Sequence, residues 1–232
     1  MAGRKRGKKV FLKDKELIIG GLLLAVIALY LFVIKPELKN RNYIDGIPAG
    51  VYEFLNREDI AALEGSDFPV YRGSEAPKLE GKFRLNSLKI KFDKRNAQPA
   101  GRSLDPYVYT FSDQKDDGTI QVDLLSEVPQ NDTGKAENSY VSGSNNCFTI
   151  YMDQKGISKN CSYQMPALLS GCLSDAGIQN PQEIFIMKTK SCDDTVLMPV
   201  GNIRINIEQD GLGESLSKSP TVTEPPTPSA LQ

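Results

Sequence analysis

The sequence predicts a mainly β protein: a single antiparallel domain of about eight strands, barrel or sandwich, preceded by one membrane-spanning helix and a short helix. Three observations carry this. Leu17–Ile34, LIIGGLLLAVIALYLFVI, is an uninterrupted apolar run. From Phe68 onward, short apolar–polar alternations are separated by turn clusters, with no long helical periodicity between them. All four cysteines, Cys147, Cys161, Cys172 and Cys192, fall in that later region.

Taken in order, residues 1–16 read as a basic cytoplasmic tail. Arg4, Lys5, Arg6, Lys8, Lys9, Lys13 and Lys15 stand against Asp14 and Glu16, so this tail is +5 and the rest of a chain of net charge −1 is −6. Residues 17–34 read as a signal-anchor helix. As a helix the run rises about 27 Å, close to the roughly 30 Å of a bilayer's hydrocarbon core. The basic flank places the N-terminus in the cytoplasm and the C-terminal domain outside it, in a periplasmic or equivalent extracytoplasmic space. A cleaved signal peptide fits less well, because Lys35-Pro36-Glu37 follows the run with no small-residue cleavage site. A buried helix of a soluble protein would leave the flanking basic residues without a purpose.

Residues 35–67 read as a stalk and a short helix. Pro36, Gly46, Pro48 and Gly50 mark the stalk, and VYEFLNREDIAAL at Val51–Leu63 approximates helical spacing, with Gly65 as its stop. Residues 68–210 form the exported β domain. In KFRLNSLKIKF, Leu88, Ile90 and Phe92 alternate with Lys89 and Lys91, a half-buried strand. PYVYTF and TIQVDLL flank Asp113–Gly118, a hairpin signal with Asp117-Gly118 at its tip. SYVSG, CFTIYMD, ALLSGCLS, EIFIMKTK and VLMPVGNIRINI follow at hairpin spacing. Residues 211–232, rich in Ser, Thr and Pro, lack a core and read as a disordered tail.

An even number of cysteines on the exported side reads as two disulfides. Folding Cys147–Asp153 against Cys161–Ser174, and that strand against Glu183–Cys192, pairs Cys161 with Cys192 and leaves Cys147 with Cys172. No C-x₂₋₄-C pair supports zinc. The chain has no histidine, the commonest metal ligand and general base. The mildly acidic exported part offers no electrostatic footprint for nucleic acid.

The stretches PVYRGSEAPKLEGKFRL, SGSNNCFTIYM, LLSGCLSDAGIQNPQEIFIMK and LMPVGNIRI, at 69–85, 142–152, 168–188 and 197–205, together resemble a group of uncharacterised membrane-anchored or lipoprotein domains of Bacteroidetes, often described as lipocalin-like. The resemblance covers about residues 68–210. It implies an eight-stranded antiparallel barrel on the outer side of a membrane, and brings no established activity or functional residues. This chain departs from the pattern in Ala76, in its extra cysteines, and in a spanning helix where a lipidated cysteine is usual.

Chemistry-bearing motifs are few. Ser112–Lys115 and Ser215–Lys218 match the S-x-x-K of serine acylating enzymes, but the first falls in a hairpin turn and the second in the tail. Asp113, Asp116 and Asp117 invite calcium, yet Lys115 takes a ligand position, and Asp-Asp-Gly is ordinary turn chemistry; Asp193-Asp194 reads the same way. Asn131–Thr133 and Asn160–Ser162 match the glycosylation sequon, with Asn160 equally suited to a turn. Tyr107, Tyr109, Phe111, Phe148, Ile150, Tyr151, Met152, Phe185, Ile186 and Met187 supply the core, unless some of them line a lipocalin-type cavity. No catalytic, metal or cofactor-binding residue stands out. The expected function is a membrane-anchored, non-enzymatic binding or interaction module with another envelope protein as partner. The alternatives are a lipocalin-like carrier of a small apolar ligand and a hydrolase built on two facing carboxylates.

Overall fold

The computed structural model of the protein describes residues 9–30, 42–95, 99–128, 132–193 and 197–216. The first eight residues, Leu31–Ile34, the start of the stalk, Asn131, Asp194 and residues 217–232 lie outside the described residues, whereas the first residues of the expected disordered tail, Leu212–Ser215, form a strand, because they pair between two barrel strands.

Helix α1 spans Lys9–Leu29 and contains the first part of the apolar run. Its resolved faces are exposed all round, with Ile19 at 69%, Leu22 at 65% and Leu24 at 69%. Among the described residues no helix is long and apolar enough to cross a membrane. The charged residues of α1 occupy its first half, and the run ends beyond the described part.

The β domain is a closed antiparallel barrel. Its strands are β3 (Gly81–Leu85), β4 (Leu88–Asp93), β5 (Tyr107–Ser112), β6 (Gln121–Ser126), β7 (Asp132–Ser144), β8 (Cys147–Ser158), β9 (Cys161–Leu173), β10 (Gly177–Ile186), β12 (Ile203–Glu208) and β13 (Leu212–Ser215). Eight of them close a ring in the order β3-β5-β6-β7-β8-β9-β10-β13. Strands β3 and β4 run in one line broken at Asn86-Ser87, as do β12 and β13 across Gln209–Gly211, and the two lines pair side by side. The barrel is therefore a plain up-and-down meander in chain order, its last strand beside its first. The short β11 (Thr189–Lys190) adds to the start of β9.

Turn chemistry sets the hairpins. Lys159 and Asn160 both adopt positive φ, 48° and 64°, the two-residue loop whose twist suits a hairpin, so Asn160 serves a turn. In the β5–β6 loop, Asp117 Oδ1 accepts from the Thr119 amide (3.0 Å) and hydroxyl (2.7 Å), which gives that residue a turn role. Closure of the ring depends on Gly177, at φ 143°, where a Cβ would run into the Gly213 carbonyl.

The segment expected as a stalk is instead a cover on the barrel's outer wall. Strands β1 (Tyr43–Ile44) and β2 (Ile47–Pro48), a 3₁₀ turn at Ala49–Glu53 and helix α2 (Arg57–Glu64) press Ile47, Val51, Leu55, Ile60, Leu63 and Phe68 onto Tyr151, Leu168, Ile184, Ile186, Ile203 and Ile205. The single helix expected over 51–63 is two pieces, because Asn56 starts a new one. Its side chain accepts from the Asp59 amide (2.7 Å) while Asp59 accepts from the Asn56 amide (3.2 Å), a capping box. Gly65 ends α2. Asp59 also pairs with Lys188 of the barrel at 2.9 Å.

The four cysteines form two bonds, Cys147–Cys172 and Cys161–Cys192. The first joins residues directly opposite each other at the open end of the β8–β9 hairpin. The second ties the segment after β11 to the turn end of the same hairpin.

Candidate functional site

Eight strands make a barrel just wide enough to be filled by side chains or to hold one small ligand. Here one half does each. At the end where β3 begins and β5 ends, Phe83, Phe111, Val122, Phe148, Ile150 and Ile178 fill the interior. At the other end a cavity of about 200 Å³ is left, partly open to solvent. Its apolar lining includes Tyr107, Leu124, Met165, Phe185, Met187 and Met198, and its polar lining Tyr109, Gln154, Glu183, Arg204 and Asn206, with Asp105, Ser158 and Lys159 also on it. Gly134 makes room there, since a Cβ would lie 2.5 Å from Gln154 Nε2.

Glu183 is the centre of the polar side. The Tyr109 hydroxyl donates to its Oε1, and Asn206 Nδ2 donates to its Oε2 at 3.1 Å. Asn206 faces it directly across the β10–β12 ladder. Next along the same face, Arg204 stands opposite Asp93 of β4; its Nε donates to Asp93 Oδ2 at 3.0 Å, and Asn202 Nδ2 donates to Asp93 Oδ1 at 2.7 Å. Arg204 Nη2 lies 2.9 Å from the same Asp93 oxygen, so the guanidinium and carboxylate form a buried ion pair. Asn206 Oδ1 is without a hydrogen-bond partner, in a residue only 3% exposed.

Two β-bulges put these acids inside. Between Gln179 and Gln182 the β9–β10 register shifts, at Asn180 (φ 47°) and Pro181. Ile178 points inward before the bulge; after it Glu183 and Phe185 do, and Ile184 and Ile186 turn out beneath the cover. A second shift, at Lys91 of β4, sends Phe92 outward, 42% exposed, and buries Asp93 to 4%. The expected inward set Leu88, Ile90 and Phe92 thus loses its last member.

Burial pushes the Glu183 carboxyl above its ordinary 4.5, outweighing the bonds from Tyr109 and Asn206, with Glu208 nearby adding to the rise. Burial, and then Glu183, also push the Tyr109 hydroxyl well up. A carboxyl whose folded-state pKa is raised stabilises the fold fully below its unfolded value and loses that contribution as pH climbs through the folded one. Glu183→Gln keeps the acceptor for Asn206 and can donate to the Tyr109 oxygen, yet does not ionise. The stability of wild type minus Glu183→Gln should therefore fall as pH rises above about 4.5, by at most about 1.4 kcal/mol per unit, then level off. Thermal melts of both proteins over that range check it; parallel profiles would refute it.

Of the residues singled out in the sequence, Tyr107, Tyr109, Phe185 and Met187 meet at the cavity. Phe111, Phe148, Ile150 and Met152 fill the barrel, and Tyr151 and Ile186 face the cover. Ser112 ends β5 and does not start a helix. Among the described residues no group of acids and cysteines is arranged to hold a metal. Sequence reading missed Glu183, Arg204 and Asn206. In the NIRINI alternation at 202–207 the isoleucines look set to face inward and the polar residues outward; here the faces are exchanged, because the cover buries Ile203 and Ile205 from outside. No known family model, curated protein or solved structure matches this chain.

Proposed function

We propose that the chain is a membrane-tethered, envelope-exposed, non-enzymatic binding module whose barrel, lipocalin-like in use, holds one small and largely apolar molecule. The observation that carries this is the cavity of about 200 Å³ at one end of a barrel whose other half is filled. Its lining is mixed: methionine, leucine and aromatic side chains meet Gln154, Glu183, Arg204 and Asn206, joined by Asp105, Ser158 and Lys159, and convergent polar groups beside apolar walls are the pattern of a small-molecule site. Three of the five methionines line it, and their unbranched side chains adapt to a guest's outline. The tether is supported by the run Leu17–Ile34, its basic flank, and the all-round exposure of apolar residues in α1. Two disulfides suit an oxidising space outside the cytoplasm.

Full-length protein in lipid nanodiscs, carrying ¹³C-methyl methionine, tests the site with toluene as the probe. The expected result is saturable shifts of the Met165, Met187 and Met198 methyls with Met1 unmoved, abolished by Leu124→Trp, which fills the cavity. No shift, or shifts that survive Leu124→Trp, would remove the site. The module would then act as a protein-binding one through its outer wall, where Leu125 (58% exposed) and Ile157 (56%) flank the same residue of β7. The tether fails if the chain leaves host membranes in alkaline carbonate.

A further inference from the structure

We infer that the filled end of the barrel is the surface turned to the bilayer that holds the chain. The cavity then opens away from that bilayer and takes a small, water-borne molecule, not one of its lipids. This rests on the readings of the apolar run as a tether and of the barrel as a small-molecule site, and names the source of the guest.

The chain joins the barrel at the filled end. After the apolar run, residues 35–42 lead directly to β1. The Tyr43 hydroxyl donates to the Val141 carbonyl at 3.4 Å. Gly118, in the β5–β6 loop, leaves room for it, since a Cβ there would lie 2.5 Å from the Tyr43 oxygen. The Gly46 carbonyl accepts from the Gly73 amide at 2.8 Å, and the Gly73 carbonyl accepts from the Gly143 amide at 3.0 Å. Gly118, Val141 and Gly143 all lie where β5 ends and β7 turns into β8. The mouth is at the other end, where Asp105 precedes β5 and Ser158 and Lys159 lie at the β8–β9 turn. Val141 faces Ile150 across the ladder. The eight steps from Ile150 to Ser158 cover about 27 Å of strand, or roughly 20 Å along the axis of a barrel whose strands tilt by about 40°.

Chain length separates the two orientations. Eight flexible residues typically span about 14–17 Å end to end, and pulled taut they reach about 26–29 Å. With the filled end down, the entry point at Tyr43 stands beside the lipid surface within that typical span. With the mouth down, the entry point stands about 20 Å or more above the surface, and residues 35–42 must run back down the outer wall. Charge agrees with the first arrangement. Asp105 and Lys159 are on the cavity's lining, Lys159 exposed, and Lys94 and Arg95 are exposed at the end of β4. Water solvates such a rim, whereas a lipid tail would have to pass it on the way in. Size agrees as well. An apolar cavity of about 150 Å³ accepts benzene, so one of about 200 Å³ takes a ring with a short substituent. That is far less than an acyl chain long enough to fill half of a roughly 30 Å hydrocarbon core.

The experiment uses full-length protein with ¹³C-methyl methionine in nanodiscs, with one reporter added at each end: Ile44→Met at the filled end and Ile157→Met near the mouth. Both positions are exposed, at 38% and 56%, so neither change reaches the core. Phospholipids carrying a nitroxide, first on the headgroup and then on the acyl chain, broaden the methyls that come near them. The headgroup label is expected to abolish the Ile44→Met signal and to spare those of Ile157→Met, Met165, Met187 and Met198. The acyl-chain label should leave the three native methyls intact. Loss of the Ile157→Met signal under the headgroup label, alone or together with that of Ile44→Met, overturns the orientation, because Leu125 and Ile157 then lie against the surface. Loss of Met165, Met187 and Met198 under the acyl-chain label overturns the water-borne guest and puts a lipid tail in its place. Retention of every signal overturns the orientation too, since residues 35–42 then do not hold the filled end near lipid. If a variant does not fold, the native methyls of the wild type still decide, their loss under either label overturning the inference. Carbonate extraction tests the tether by itself, and the toluene titration tests the small-molecule site by itself.

Discussion

Replacing Tyr151 with alanine should destabilise the protein by about 3–5 kcal/mol, the range for deleting a fully buried aromatic side chain. Tyr151 has no exposed surface, yet it points out of the barrel. It sits under Val51, Leu55 and Leu63 with its hydroxyl 3.2 Å from Ser142 Oγ. Deleting it opens a hole between barrel and cover, where neither side can collapse without giving up its own register. At about 2–4 °C per kcal/mol for a domain of this size, the melting midpoint should drop by roughly 10 °C. Tyr151→Phe removes only the hydroxyl and should cost about 1 kcal/mol. Calorimetry on the three proteins decides: if Tyr151→Ala melts with the wild type, the cover is not part of the folded unit.

Removing either disulfide should have the next largest effect. The bonds close loops of 25 and 31 residues, so each is worth about 3–4 kcal/mol by the chain-entropy estimate. Their consequences for binding should differ. Cys147–Cys172 holds the filled end of the barrel, far along β8 and β9 from the cavity. Cys161–Cys192 sits at the cavity end and holds the segment that brings Met187 and Met198 onto Tyr163. Cys147→Ser with Cys172→Ser should therefore lower the melting temperature and leave toluene affinity within about twofold. Cys161→Ser with Cys192→Ser should lower both, the affinity by about tenfold or more, since a guest must then pay for ordering part of its own wall. Equal losses of affinity in the two double mutants would show that the second bond has no special relation to the site.

The β architecture was legible because alternation and turn residues are local. Asp117-Gly118, the turn-suited Asn160 and the spacing of the apolar runs locate hairpins without knowledge of the rest of the chain. The same signals order the strands around Cys147, Cys161, Cys172 and Cys192. What sequence could not show is which face of a strand looks inward. In Glu183–Met187, apolar residues occupy both faces, and only the bulge at Asn180-Pro181 decides that Glu183 and Phe185 go inside. In Ile203–Glu208 the alternation is clean, but the usual inference from it is inverted by a cover contributed from more than a hundred residues earlier. Asp93 enters through a bulge at Lys91 in a stretch that reads as regular strand. The candidate site is assembled from those inversions, so it left no motif.

The adjacency of first and last barrel strands bears on how the chain is made. As it is synthesised from its N-terminal end, the hairpins from β5 to β10 can form as they emerge. The seam between β3 and β10 stays open until β12 and β13 arrive to fill it. During that interval two strand edges with free amides and carbonyls face outward, ready to pair with another copy in the same state. Folding to a monomer is then a race between the arrival of the last strand and an encounter between neighbours, and slow completion or crowding of nascent chains shifts it toward strand-exchanged oligomers.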